Sequence, residues 1–264
     1  MVKLDDFFQR LWQQYVAITP QALAIQKLLE SQGEVLVNDH VAFRTLAHSH
    51  FSISNLEPQI ISLGYEILAD YYFDEKRLLA RCYIHKNSPT KIFVSELLWK
   101  ELPPASQTII EAIIESGQSE KQPSIDNGRF WPLPSYSDYK TLLNVSEYAA
   151  WFSIWGLRAN HFTVYVNHLK KYTSLEKVVE LLNNNGYELN HSGGIIKGTP
   201  QDFLIQAATM ADKYDVVFKD GGKQVISTCY YEFAQRFKQP NGKLYQGFVP
   251  KSADKIFEST NNKS

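Results

Sequence analysis

Apolar and polar positions recur along this chain with two different periods, and the switches between them mark its elements. From Leu4, the residues Phe7, Phe8, Leu11, Trp12, Tyr15 and Val16 return every three or four positions, which predicts an amphipathic helix. A second helix follows in TPQALAIQKLLESQG, with Thr19 as N-cap, Pro20 in the first helical position and Gly33 as the stop. The period then drops to two. VAFRTL predicts a strand, a helix follows over about residues 54–62 and ends at Gly64, and YEILADYYF, RLLARCYIH and KIFVSELL predict three further strands.

The same order returns downstream. HFTVYV predicts a strand, and TSLEKVVELLNNNGYEL a helix capped by Thr173 or Ser174. GGIIKG, FLIQAATMA, YDVVFKDG and QVISTCYYEFAQR supply strands, with FKDGGKQ as a hairpin turn. His40 opens the first unit in NDHVAFRTL, and His161 opens the second in ANHFTVYV. His40 precedes Gly64 by 24 residues and His161 precedes Gly186 by 25, and both glycines begin the string GYE. Glu96 lies 56 residues after His40, whereas Glu232 lies 71 after His161, so the second unit carries an insertion. Two βαβββ units predict an α+β fold: a curved, mostly antiparallel sheet enclosing a cleft, with covering helices. The expected organisation is one domain. N-terminal helices span 1–33, the units span 34–99 and 159–250, a helical and aromatic insertion spans 100–158, and a tail spans 251–264.

Charge and cysteine content narrow the function. The 264 residues hold 27 Lys and Arg against 28 Asp and Glu, a net charge of -1, which leaves no electrostatic footprint for nucleic acid or an anionic membrane. A small molecule or a protein is the expected partner. No apolar run approaches the ~18–20 residues of a membrane helix, and the N-terminal stretch lacks a signal-peptide core, so a cytoplasmic location is expected. Cys82 and Cys229 belong to no CxxC pair and read as small buried strand residues.

In a paired βαβββ sheet the first and last strands of each unit line the cleft, which brings His40, Glu96, His161 and Glu232 together. A polar side chain in mid-strand is costly to bury unless it is paired or ligated. Imidazoles and carboxylates with open positions beside them suit Fe(II), Mn(II) or Zn(II). Glu96 reads as a fourth ligand, an acceptor behind the ligands, or a salt-bridge partner. Arg44, four residues after His40, falls on the same strand face, where a guanidinium suits a carboxylate that also chelates the ion. Lys197, Gln206, Thr209 and Met210 are candidates for the pocket lining. Tyr230, Phe233 and Phe162 read as packing, and His48, His50, His85, His168 and His191 as surface residues.

Taken in order, NDHVAFRTL, FVSELL, ANHFTVYVN, GGIIKGTP, LIQAATMAD and YYEFAQR resemble the 2-oxoadipate dioxygenase/decarboxylase family, a divergent relative of the vicinal-oxygen-chelate enzymes. The resemblance runs from about residue 30 to 250. It implies a non-haem Fe(II) held by His40, His161 and Glu232, with Arg44 binding the 2-oxo acid end of the substrate; Lys197 and Gln206, read from their strands as pocket lining, are the further substrate-binding candidates. The implied reaction converts 2-oxoadipate and O2 into 2-hydroxyglutarate and CO2, a step of lysine catabolism, without a further co-substrate. Phe43, Phe162, Tyr231 and the Trp-rich middle segment are expected to keep the pocket dry. Family members of the characterised type extend further at the C-terminus, so the resemblance covers the metal and the 2-oxo acid end and leaves substrate length and oligomeric state open. Two rivals use the same sheet: a metal-dependent isomerase or lyase with Glu96 as base or fourth ligand, and a metal-free binding protein.

Overall fold

The computed structural model describes residues 4–118 and 123–260. Residues 1–3, 119–122 and 261–264, which belong to the expected N-terminal helices, insertion and tail, lie outside the described residues.

Helices α1 (Leu4–Val16) and α2 (Pro20–Ser31) form where the three-four spacing places them, burying Phe7, Leu11 and Tyr15 from α1 and Ala22, Ile25 and Leu29 from α2. The first unit comprises β1 (Asn38–Leu46), α3 (Ile53–Ser62), β2 (Tyr65–Phe73), β3 (Leu78–His85) and β4 (Ser88–Leu97). Three helices intervene: α4 (Pro104–Gln118), α5 (Tyr136–Val145) and α6 (Glu147–Trp155), the last buried on all sides from Tyr148 to Trp155. The second unit runs through β5 (Ala159–Tyr165), α7 (Leu175–Asn184), β6 (Lys197–Thr199), β7 (Leu204–Ala208), β8 (Lys213–Val217), β9 (Lys223–Ser227) and β10 (Tyr230–Arg236). A final helix, α8 (Pro250–Phe257), occupies much of the expected tail and packs against β2, β6 and β7.

Eight strands form one sheet in the order β2-β3-β4-β1-β5-β10-β7-β6. The order has the same form from either edge: each half has its first strand in the middle, its fourth beside it in parallel, and the other two antiparallel beyond. The halves meet in the antiparallel β1–β5 pair. The hairpin β8–β9 stands apart as its own two-stranded sheet, between the third and fourth strands of the second half. It is the insertion that lengthens the second unit.

Two strand expectations change. QVISTCYYEFAQR is not one strand but two, β9 and β10, in different sheets. The break falls at Thr228, whose amide donates to Asp212 O at 2.7 Å, while the Asp212 amide donates to Cys229 O at 3.0 Å. Of GGIIKG, only Lys197 and Gly198 enter a strand; Gly193 and Gly194, both at positive φ, turn the chain ahead of it. The helix stops hold, with Gly64 (φ 94°) and Gly186 (φ 76°) in the left-handed region that glycine enters without a Cβ penalty.

Alternation sorts the sheet's two faces. On the outer face, Phe162 and Tyr231 pack against Trp12 of α1 with ring centroids 5.0 and 5.7 Å away. Arg81 of β3 pairs with Glu57 of α3, and Gln235 of β10 accepts from the first amide of α7. The inner face carries His40, His161, Glu232 and Arg236, with α8 across it.

Candidate metal centre

β1 delivers His40, β5 His161 and β10 Glu232 to one buried point on the inner face. The ladder pairs His40 with Thr163 and Ala42 with His161, so the two imidazoles are diagonal neighbours across adjacent antiparallel strands. Their Nε2 atoms lie 3.3 Å apart. Glu232 Oε2 is 3.3 Å from His161 Nε2 and Oε1 is 3.6 Å from His40 Nε2, and the ligand-capable atoms all fall within 4.8 Å of one another.

The far side of each ring fixes this orientation. Asp39 Oδ1 accepts from His40 Nδ1 at 2.8 Å, and Asn160 Oδ1 accepts from His161 Nδ1 at 3.1 Å. With both Nδ1 atoms protonated, both Nε2 lone pairs face inward. Gln206 Nε2 donates to Glu232 Oε1 at 2.6 Å, and Glu232 Oε2 is buried without a hydrogen-bond partner. With the Thr163 hydroxyl 3.1 Å from His40 Nε2 and the Gln206 amide on Glu232 Oε1 as the neighbouring donors, the two Nε2 atoms and Glu232 Oε2 converge on one another. A divalent cation satisfies such an arrangement, and the three residues fit one by donor type and convergence.

The ionisation states are consistent. Burial lowers the pKa of His161 well below the usual imidazole value, and the nearby His40 and Arg44 charges lower it further. Burial also lowers that of His40, against the opposing pull of Asp39. Glu232 is pushed up to about 8, chiefly by burial, against the Gln206 hydrogen bond. Neutral imidazoles are ready ligands, and a bound cation would favour the ionised form of Glu232 that burial disfavours.

Behind His40 lies a buried charge cluster that the sequence patterns did not suggest. Arg236 grips Asp39 with Nε to Oδ2 at 2.5 Å and Nη2 to Oδ1 at 2.8 Å, while Lys91 Nζ stands 4.0 Å away. Arg236 Nη1 also donates to Tyr245 O and Gly247 O, tying the segment ahead of α8 to the sheet. From that segment Phe248 sets its ring edge-on to His40 at 4.8 Å, and Tyr230 stacks on His161 at 4.5 Å and 23°. The dry wall therefore comes from Phe248 and Tyr230. Phe162 and Tyr231, expected there, pack on Trp12 of α1, and Phe43, three residues after His40, falls on the opposite strand face.

Arg44 is buried inside α6 and the C-terminal segment. It donates to Glu147 Oε1 at 2.8 Å and Thr260 Oγ1 at 3.0 Å, with its guanidinium over the rings of Tyr148 (4.9 Å) and Trp151 (5.1 Å). Its Nε is buried without a partner. A cleft of about 230 Å³ opens beside this cage, bordered by Glu147, Tyr148 and Phe257 with Lys76 and Glu258 at its rim. That cleft does not reach the histidines; the metal group itself is closed over. Lys197 is buried opposite Gln206 in the β6–β7 pair and donates to Asn190 O and Ile195 O, its pKa brought down to about 8 by burial against the attraction of Glu232.

Glu96 does not join the group. Its carboxylate accepts from the Ile53 amide at 2.7 Å, at the start of α3. The register explains this: Glu232 pairs with Thr163, two residues after His161, but the residue paired two after His40 is Phe93. Thr209 is structural, accepting from the Tyr231 amide, and the Met210 carbonyl accepts from Gln21. Asp39 and Asn160 precede the histidines in NDH and ANH, yet plain alternation assigns them to the opposite face.

Fold and site together define a class: a duplicated βαβββ sheet whose inner face holds a buried two-histidine, one-carboxylate group fit for a metal ion. The family profile for 2-oxoadipate dioxygenase/decarboxylase matches residues 127–244. The chain is 34% identical over 293 residues to the chloroplastic/amyloplastic 2-oxoadipate dioxygenase/decarboxylase of Oryza sativa subsp. japonica, covering 98% of this chain and 80% of the relative. It belongs to the 2-oxoadipate dioxygenase/decarboxylase family. A crystal structure of the Oryza sativa hydroxyglutarate synthase in complex with 2-oxoadipate superposes with a TM-score of 0.89 at 32% identity, over 97% of this chain and 91% of that one. A Shewanella frigidimarina protein described as a candidate hydrolase superposes with a TM-score of 0.88 at 40% identity, over 95% and 99%. No helix among the described residues is long and apolar enough to cross a membrane.

Proposed function

We propose that this chain is a 2-oxoadipate dioxygenase/decarboxylase using Fe(II) held by His40, His161 and Glu232. In the reaction C1 of 2-oxoadipate leaves as CO2, C2 becomes a carboxylate and C3 gains a hydroxyl. Both atoms of O2 enter the products, so 2-hydroxyglutarate and CO2 account for every atom. Bound Fe(II) supplies open coordination positions and the electrons that dioxygen chemistry needs.

The chain's own residues orient and shield. Arg44 is the clamp for a substrate carboxylate, through its unpartnered Nε or by exchanging Glu147 for the substrate. Gln206 steadies Glu232, and Lys197 adds positive charge on that side of the pocket. Phe248 and Tyr230 exclude water from the rings. The observation that carries the reading is the convergence of three buried acceptors with both Nδ1 atoms already engaged.

The test is anaerobic loading with Fe(II), then 2-oxoadipate and oxygen, with uptake recorded and products identified by mass spectrometry. One CO2 and one 2-hydroxyglutarate per O2 is the expected result. Tight metal binding without oxygen uptake on 2-oxoadipate or shorter 2-oxo acids would overturn it in favour of a lyase or isomerase.

A further inference from the structure

The two halves of the sheet hold their histidines by the same device but with unlike chemistry. The β1–β5 register slips twice, between Asn38 and His40 and again between Ala42 and Phe43, whose partners are His161 and Ala159. The extra residue is Asp39 in one case and Asn160 in the other. A bulge re-aims a side chain, so each extra residue reaches the ring of the histidine that follows it, although alternation alone would put the two on opposite faces.

From there the symmetry fails. Asp39 is a fully buried carboxylate gripped by Arg236 and approached by Lys91. Asn160 is a buried amide whose Nδ2 has no partner. His40 faces the Thr163 hydroxyl across the ladder, whereas His161 faces Ala42.

We propose that Asp39 and Asn160 are positioning residues of unequal strength, which make His40 the stronger and His161 the weaker nitrogen donor to the metal. This rests on the reading of the site as a metal centre. Both residues lock the tautomer that turns Nε2 inward. Only Asp39 places a negative charge against the Nδ1 proton, and that charge raises the basicity of the nitrogen at the far side of the ring. Arg236 holds the carboxylate in line, which spares it from rotating toward the metal as a ligand itself.

The experiment uses Co(II) as probe, with affinity measured by competition against a chromophoric chelator and ligand field by the visible spectrum. Asp39→Asn keeps an acceptor oxygen and removes the charge; Co(II) affinity is expected to fall about tenfold or more, with a displaced visible band. Asn160→Asp adds the charge to the other ring without costing a hydrogen bond, and tighter binding is expected. Parental affinity and spectrum in Asp39→Asn would overturn the proposal. Should that variant fail to fold, because Arg236 is left stranded, Asn160→Asp decides alone, and unchanged or weaker binding there would overturn it. Absence of Co(II) binding by the parent chain would sink the metal-centre reading instead.

Discussion

Phe93 and Glu232 occupy the same place in the two halves of the sheet. Each lies on the unit's fourth strand, opposite the residue two past the unit's first-strand histidine: Ala42 for Phe93 and Thr163 for Glu232. One half thus supplies a carboxylate where the other supplies a ring that packs on Phe248 at 4.8 Å. Glu232→Gln keeps the shape and an acceptor for Gln206 but removes the anionic oxygen offered to a cation, so metal affinity is expected to drop at least about a hundredfold. The melting temperature of the metal-free protein should not fall, since the variant buries no ionisable carboxyl. Calorimetric titration with Co(II) and thermal unfolding in EDTA check both halves. Unaltered affinity would remove Glu232 from the ligand set.

Arg44 is committed to Glu147 in this structure, so under the proposed clamp role Glu147 competes with a substrate carboxylate. Arg44→Ala is expected to retain metal while raising the KM for 2-oxoadipate by roughly 10- to 100-fold, the size of a lost charge-assisted hydrogen-bond pair. Glu147→Gln, by contrast, is expected to lower KM. Steady-state kinetics on the pair decide the matter, and an unchanged KM in both would confine Arg44 to holding α6 and the C-terminal segment in place.

Glu34 offers a test of acid stability away from the site. Its carboxylate accepts from the amides of Lys170, Lys171 and Tyr172 at 2.7, 2.7 and 3.0 Å. Burial raises its pKa, but these bonds outweigh burial and the net shift is downward. A lowered folded-state pKa means stability that is fully present above the unfolded value near 4.3 and is lost as pH falls through the folded value. Glu34→Gln is therefore expected to flatten the decline of the urea midpoint with acidification below about pH 4.3. An identical decline in both proteins would assign it to other carboxylates.

Phe162 follows His161 directly yet belongs to the other face. Phe162→Ala is expected to destabilise by about 3–5 kcal/mol through the cavity it leaves against Trp12 and Tyr15. At a temperature where the variant is folded, KM for the oxo acid should stay within about twofold of the parent. A large KM change at full folding would place Phe162 in the pocket after all.

The repeat was legible because both periodicities and a helix-stop glycine survive in each half, Gly64 in one and Gly186 in the other, and a strand histidine heads each unit. Misreadings arose where counting in steps of two along a strand is interrupted. Aligning Glu96 with Glu232 by landmark ignored a three-residue offset in register, and only the paired strands reveal it. Asp39 and Asn160 stayed hidden because two bulges cancel the alternation at those residues. Arg236, Glu147, Tyr245 and Phe248 come from distant stretches with no local pattern tying them to a histidine. The start of the expected tail is helical over Pro250–Phe257, where α8 meets β2, β6 and β7, a partner that no local periodicity announces.

A sheet of this symmetry assembled from two copies of one half-length chain would carry identical residues at both members of every related pair. It would have two aspartates or two asparagines behind its rings, and two phenyl rings or two carboxylates on its fourth strands. Fusion into a single polypeptide lifts that obligation. Each half can then carry its own residues, and the correspondence between His40 and His161 need not extend to the groups around them. On the proposed reading of the site, the joined halves need only one carboxylate ligand, one charged support and one guanidinium clamp, so that a substrate with two different ends would meet a pocket with two different sides.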